Sequence, residues 1–388
     1  MTEALPYPQA RTCPYQPPAG YEPLRDSPGL HRVTAPNGQA AWVVTGQAET
    51  RALLADPRIS ADRRNPAFPT AGTQAVVNAV PRRPFISMDE PEHGHYRRML
   101  IADFTVRRFK ELRPRIEQIV HETIDAMLDA GPPADLVAKF ALPIPSLVIC
   151  ELLGVPYEDH AFFQHAGQQS IQRRGTPEGV RAFLSLNEYL AKLAADPPPG
   201  LISRLKQERV ATGEMDTLDL VITAQILLVA GHETTASMLA LSTFTLLEHP
   251  GQLAAMRANP AAAVEELLRY LSIIDGPMAR VALQDIEIAG VTIKAGEGVV
   301  IGVPLANRDP RTFPDPDQFD VTRPENHHVA FGFGVHQCLG QNLARMEMEI
   351  ALTALFERIP ALHLAIPAQD VQMRPGDIAG LTELPVGW

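Results

Sequence analysis

Apolar residues recur at near-helical spacing from Phe109 through Leu112, Ile116, Ile119, Val120, Ile124 and Met127, and Gly131-Pro132-Pro133 closes the run. The pattern predicts an amphipathic helix starting near Pro114. Leu142 to Leu153 predicts a shorter buried helix, and Pro197-Pro198-Pro199-Gly200 breaks the chain before another helical segment. The longest candidate runs from Asp219 to Glu248, about 30 residues or roughly 45 Å at 1.5 Å per residue. It is apolar around most of its circumference, which predicts a helix running through the core.

Alternating patterns are short. Val33-Thr34 and Ala41-Trp42-Val43-Val44 flank a Pro36-Asn37-Gly38 turn and predict a hairpin, while Ile286-Glu287-Ile288 and Val291-Thr292-Ile293 flank Gly290 and predict a second small sheet. A last helix is expected from about Leu339. The fold class expected is mainly α with small antiparallel β-sheets. No shift in composition marks a boundary, so residues 1–388 are expected to form a single domain.

Composition narrows the function. The 388 residues are 45% hydrophobic, enough for a large core, and the 36 prolines imply many abruptly ended elements. No apolar run approaches the roughly 20 residues that span a bilayer. Met1 to Gly20 is polar and proline-rich, unlike a secretion signal, so a cytoplasmic location is expected. A formal net charge of -11 argues against nucleic acid or an anionic membrane as partner. Cys13, Cys150 and Cys338 are too scattered for a disulfide framework or a C-x-x-C metal pair. A monomer is the default expectation.

Cys338 stands apart from the other two. It lies in the stretch Phe331-Gly332-Phe333-Gly334-Val335-His336-Gln337-Cys338-Leu339-Gly340, with Leu343, Met346 and Ile350 following on one helical face. Free N–H groups and the dipole at a helix N-terminus favour a thiolate. Glycines at 332, 334 and 340 let backbone turn tightly and lie close to a flat ligand. Alone, a buried cysteine beside turn glycines would be the better explanation. The ten-residue context reverses that: the stretch resembles the haem-binding signature of the cytochrome P450 superfamily, F-x-x-G-x-x-x-C-x-G, at every defined position. The resemblance implies haem b with Cys338 as the axial iron ligand.

Three further stretches resemble the same family. Ala230-Gly231-His232-Glu233-Thr234-Thr235 is similar to A-G-x-D/E-T-T, which implies that Glu233 and Thr234 hold water and relay protons to dioxygen. Two β-branched residues beside a glycine also predict a local kink. His232 is expected on another helix face and not as a ligand. Glu266-Leu267-Leu268-Arg269 is similar to E-x-x-R, implying a buried structural ion pair. His93 and Arg97 resemble the family's H-x-x-x-R and, with Arg280 and His336, are implied as partners of the haem propionates.

The resemblance extends from about Tyr7 to Trp388 and is strongest to the soluble actinobacterial branch. It implies the cytochrome P450 fold, with haem between the long central helix and the cysteine-loop helix. It also implies a monooxygenase that takes electrons from ferredoxin and ferredoxin reductase and inserts one oxygen atom of O2 into a bulky hydrophobic small molecule: a macrolide, a sterol-like compound or a xenobiotic. The pocket positions implied are Phe85, Ile86, Leu227, Ala230, Ile274 to Met278 with Pro277 among them, Ile378 and Ala379. Arg98, Arg107, Arg108, Lys110 and Arg345 are candidates for a basic patch facing the ferredoxin. Epoxidation, demethylation, phenol coupling and peroxide-driven chemistry stay open as alternatives, and a haem gas sensor is the non-enzymatic one.

Overall fold

The computed structural model describes residues 5–69, 82–172, 176–276, 278–324 and 326–388. Its principal helices, in chain order, are α1 (Gln47–Ala55), α2 (Glu92–Ile101), α3 (Val106–Ala130), α4 (Pro143–Leu153), α5 (His160–Gln172), α6 (Pro177–Ala195), α7 (Thr217–Glu248), α8 (Pro250–Ala258), α9 (Pro260–Leu271) and α10 (Gln341–Arg358). Among the described residues, no helix is long and apolar enough to cross a membrane. The chain divides into two compact units.

The first unit comprises Met1–Gly94, Glu248–Gln341 and Gln372–Gly380. Its sheet has the order β1 (Leu5–Pro6), β2 (Leu30–Thr34), β3 (Ala40–Val44), β6 (Gly298–Ile301), β5 (Ala279–Ala282) and β4 (Ile59–Ser60). The predicted hairpin is β2·β3, in register from Leu30↔Val44 to Thr34↔Ala40. The sheet is mixed, because β1·β2 and β3·β6 run parallel. Alternation sorts its side chains: Val33, Ala41, Val43 and Val300 pack with Tyr7 and Tyr21 on one face, and Val44, Val299 and Ile301 pack with Leu53 on the other. The predicted Ile286–Ile288 and Val291–Ile293 ribbon also forms.

The second unit comprises His95–Leu247, Asn342–Val371 and Leu381–Trp388 and carries most of the helix. In α3, Phe109, Ile116, Ile119, Val120, Ile124 and Met127 are buried as the spacing predicts. The helix starts at Val106 instead of near Pro114, because Thr105 caps it by accepting the Arg108 N–H at 3.2 Å. In α7, every residue from Thr235 to Leu246 is buried. Its threonines are tolerated there because Thr243 and Thr245 donate to the carbonyls of Leu239 and Leu241 at 2.9 and 2.7 Å. The predicted kink does not break the helix, which is continuous through Gly231. Gly231 lets α4 approach: a Cβ there would stand 3.2 Å from Ile149 Cδ1.

In the first unit, Glu266 and Arg269 form a buried bidentate pair, 1% and 0% exposed, at 2.7 and 2.8 Å. The remaining Arg269 N–H groups reach the carbonyls of Asn307, Pro316 and Gln318, so all five donors are used. Glu266 in turn accepts from Asp320 N, Asn326 Nδ2 and Arg323 Nε. Asn307 carries the network onward: its side chain donates to Ser272 Oγ at 2.8 Å and accepts the Val329 N–H at 2.7 Å, just before the cysteine loop. Replacing one member strands the other as a buried charge. Glu266→Ala is expected to lower unfolding free energy by about 3–5 kcal/mol, read as an earlier urea midpoint; an unchanged midpoint would contradict the network's role.

Candidate active site

The cysteine loop is shaped by its own backbone. Gly332 N donates to Val329 O, Gln337 N to Gly334 O and Cys338 N to Phe331 O, at 2.9 to 3.0 Å, which folds the ten residues into successive turns. Gly332 and Gly334 have φ of +69° and +73°. At Gly334 a Cβ would also stand 2.3 Å from the Leu54 carbonyl oxygen, so no other residue fits. The Arg51 guanidinium covers the Phe333 ring at 4.2 Å. Held this way, the Cys338 side chain is exposed, and α10 begins three residues later at Gln341. Around Gly340 a Cβ would meet no atom within 4 Å, so the backbone beside the thiol is open to a close-lying group.

Also in the first unit, the rings of His93 and His336 lie 4.0 Å apart between centroids, and Phe85 stacks on His93 at 6.2 Å. Glu90 fixes His93: its Oε1 is 3.1 Å from Nδ1, and its Oε2 accepts the Gly94 N–H at 3.2 Å. Since a carboxylate only accepts, the contact places a proton on Nδ1. Arg280, on β5, donates to the Ala279 carbonyl at 2.8 Å. Among the described residues, no carboxylate comes within ion-pair distance of it. Desolvation pushes its guanidinium down to about 10, partly offset by the field of Asp89. A cation so placed suits a buried carboxylate ligand.

The pocket positions of this unit are only partly gathered. Ile274 forms a β-bridge with Ile378, and Ala379 N donates to Ile273 O at 2.8 Å, so the two segments are tied by backbone. Arg11 holds the same segment from the N-terminal side, donating to the carbonyls of Leu271 and Ser272 and to Asp275. Met278 lies against the cysteine loop, its Cε 3.6 Å from where a Gly332 Cβ would be. Phe85 is buried and Ile86 is 39% exposed. Pro277 lies outside the described residues.

In the second unit, the α7 motif has two sides. Leu227, Ala230 and Thr234 follow one another on one face, where Leu227 is buried, Ala230 exposed and Thr234 half-buried. Thr234 Oγ1 donates to the Ala230 carbonyl at 2.7 Å, leaving its lone pairs as acceptors. Glu233, next in sequence, is fully buried, as is His232, whose Nδ1 stands 3.6 Å from a Cβ placed on Gly167 of α5. Gly231 faces Ile149, so within the motif Ala230 is the residue open to a ligand. Arg97 lies one turn beyond His93 on α2 and is half-buried; its neighbour Tyr96 donates to Asp219 in the first turn of α7 at 2.8 Å. Sequence reasoning passed over Asp89 and Glu90. Their signal is three acidic residues in the Asp89–Arg98 stretch, of which these two flank the turn into α2.

In the first unit, an exposed thiol on a rigid glycine loop and a cation with no carboxylate within ion-pair distance among the described residues fit an iron porphyrin with its propionates. Comparison with known proteins agrees. The sequence profile of the family described as Cytochrome P450 matches residues 260–372. The Vitamin D3 dihydroxylase of Streptomyces griseolus is 50% identical over 396 residues, covering 100% of this chain and 98% of that protein. Among solved structures, cytochrome P450 MoxA from Nonomuraea recticatena superposes with a TM-score of 0.92 at 47% identity over 99% of this chain and 98% of that one. The mycinamicin VIII C21 methyl hydroxylase MycCI from Micromonospora griseorubida, bound to mycinamicin VIII, gives 0.91 at 42% over 99% and 100%. Likeness of this degree, along the whole chain, makes it a member of the cytochrome P450 family, the haem b monooxygenases.

Proposed function

We propose that this P450 hydroxylates a bulky, hydrophobic small molecule of the sterol-like or macrocyclic kind, as a cytoplasmic monomer fed by a ferredoxin and its reductase. The observation that carries the reading is the exposed Cys338 thiol on a loop whose turn at Gly334 admits no other residue. The substrate class is supported by relatives named for vitamin D3 and mycinamicin VIII, and by the apolar candidates Phe85, Ile86, Leu227, Ile274, Met278, Ile378 and Ala379.

When bound, haem b would supply dioxygen activation at its iron, and the Cys338 thiolate is the residue that would hold that iron. His93, Arg97, Arg280 and His336 would hold the propionates; with Glu90 accepting from Nδ1–H, His93 would donate from Nε2–H as the imidazolium. Phe331, Gly332 and Gly340 would lie against the group beside the thiolate, and Ala230 and Gly231 are the candidates for contacting it from the long helix. Thr234 acts as an acceptor, since its own proton is engaged on the Ala230 carbonyl, and so orients a water instead of giving up that proton. Glu233, buried beside it, is the carboxyl that passes the proton on. For the electron donor, Arg98, Arg107, Arg108 and Lys110 are exposed and Arg345 half-exposed. Arg107 and Arg108 share Glu111 at 3.5 and 3.1 Å. Exposed pairs of this sort are worth little, so an acidic partner displaces Glu111 at small cost.

Three measurements test the reading. Cys338→Ser should abolish the reduced carbon monoxide spectrum of thiolate ligation; a variant that keeps it would remove Cys338 as ligand. In Thr234→Ala, substrate affinity should persist while product per NAD(P)H falls and peroxide rises. Unchanged coupling would deny the threonine its part. Titrating the ferric protein with secosteroids and with macrocycles should give a saturable high-spin Soret shift with one class, and silence with both would refute the proposed substrate class.

A further inference from the structure

Asp89 occupies a junction that no role above accounts for. Its carboxylate accepts from Ser60 Oγ at 2.5 Å and from Ala61 N at 2.7 Å, at the end of β4. β4 pairs with β5 in the register Ser60↔Val281 and Ile59↔Ala282, next to Arg280. Its backbone carbonyl accepts the His93 N–H at 2.9 Å, at the start of α2. One residue thus touches, through three different groups, the end of the strand paired with Arg280's own and the helix turn that carries His93.

The charge arrangement gives the junction a purpose. Arg280 sits in a desolvated position, its guanidinium making one hydrogen bond to the adjacent carbonyl and having no carboxylate within ion-pair distance among the described residues. A guanidinium so placed is costly unless an anion is near. Asp89 is the carboxylate whose field reaches it. Its two hydrogen bonds to β4 keep it from closing onto Arg280 as a direct pair. The cation is balanced yet left with donors for another anion.

We propose that Asp89 is a positioning residue for the haem site: anchored on β4, it holds Arg280 aimed and charge-balanced for a haem carboxylate without occupying it. The proposal rests on the reading of Arg280 as a propionate partner. It requires that Asp89 act through Arg280, and that requirement separates it from a merely structural anchor of β4.

The test uses the holoprotein and reads haem transfer to apomyoglobin, which does not depend on turnover. Asp89→Asn, which keeps an acceptor for β4 but removes the charge, should lose haem severalfold faster than wild type, and Asp89→Glu should restore much of the difference. In an Arg280→Gln background, Asp89→Asn should add nothing. A full additional effect there, or a wild-type rate for Asp89→Asn alone, would overturn the role. If Asp89→Asn does not fold, Ser60→Ala takes its place: faster loss with Arg280 present and none beyond Arg280→Gln supports the proposal, and equal effects in both backgrounds oppose it. Should Arg280→Gln itself lose haem at the wild-type rate, the Arg280 contact falls, and Asp89's role falls with it. A fast Arg280→Gln beside a wild-type Asp89→Asn removes Asp89's role alone.

Discussion

The buried Glu266–Arg269 pair is the constraint on which the cysteine side of the molecule depends. The described residues of 307–326 contain no long helix or strand, yet several of their carbonyls and amides are turned inward, where an unpaired backbone group costs free energy. Arg269 satisfies three of those carbonyls and Glu266 one amide, and Asn307 passes the order on to Val329. An apolar pair of equal volume would fill the space but satisfy none of these groups. The ion pair therefore acts as the missing secondary structure of an irregular segment, and its five-donor geometry explains why arginine and not lysine stands at 269.

The long helix α7 solves the reverse problem. A core helix carrying Glu233, His232 and several threonines would be expensive if each polar group needed a partner of its own on another element. The threonines turn their hydroxyls back on the helix, which spends no tertiary contact on them. What remains polar and outward is concentrated near Ala230 and Thr234. Close packing at Gly231 and Ile149 on one side and openness at Ala230 on the next residue show how one turn of helix serves structure and chemistry at once.

Much of this was legible in the sequence. The β2·β3 hairpin, the buried face of α3, the length of α7 and the cysteine loop all follow from local pattern, because local backbone preference and tertiary packing agree there. The start of α3 did not. Pro114 reads as a helix boundary, but the packing of Phe109 and Ile116 on either side of it outweighs the loss of one hydrogen bond whose carbonyl belongs to exposed Lys110. The parallel β3·β6 pairing and the β4·β5 contact join residues more than two hundred apart, and no short-range signal announces them. Nor does sequence show that Gly231 faces Ile149, or that Asp89 is tied to the strand paired with Arg280's own. Both depend on which segment arrives alongside.

The mixed sheet also sets the order in which the molecule can be made. β1 to β4 are synthesised within the first sixty residues, but β5 and β6, which lie between β3 and β4 in the sheet, do not emerge until Ile301 has been made. Until then the early strands have unpaired edges, a hazard for association between nascent chains. Arg11 waits equally long for the carbonyls of Leu271 and Ser272. The strand that carries Arg280, β5, is thus in place only after most of the chain has left the ribosome. Cofactor capture is an event of the nearly finished polypeptide, and the yield of loaded protein depends on how long its first strands survive alone.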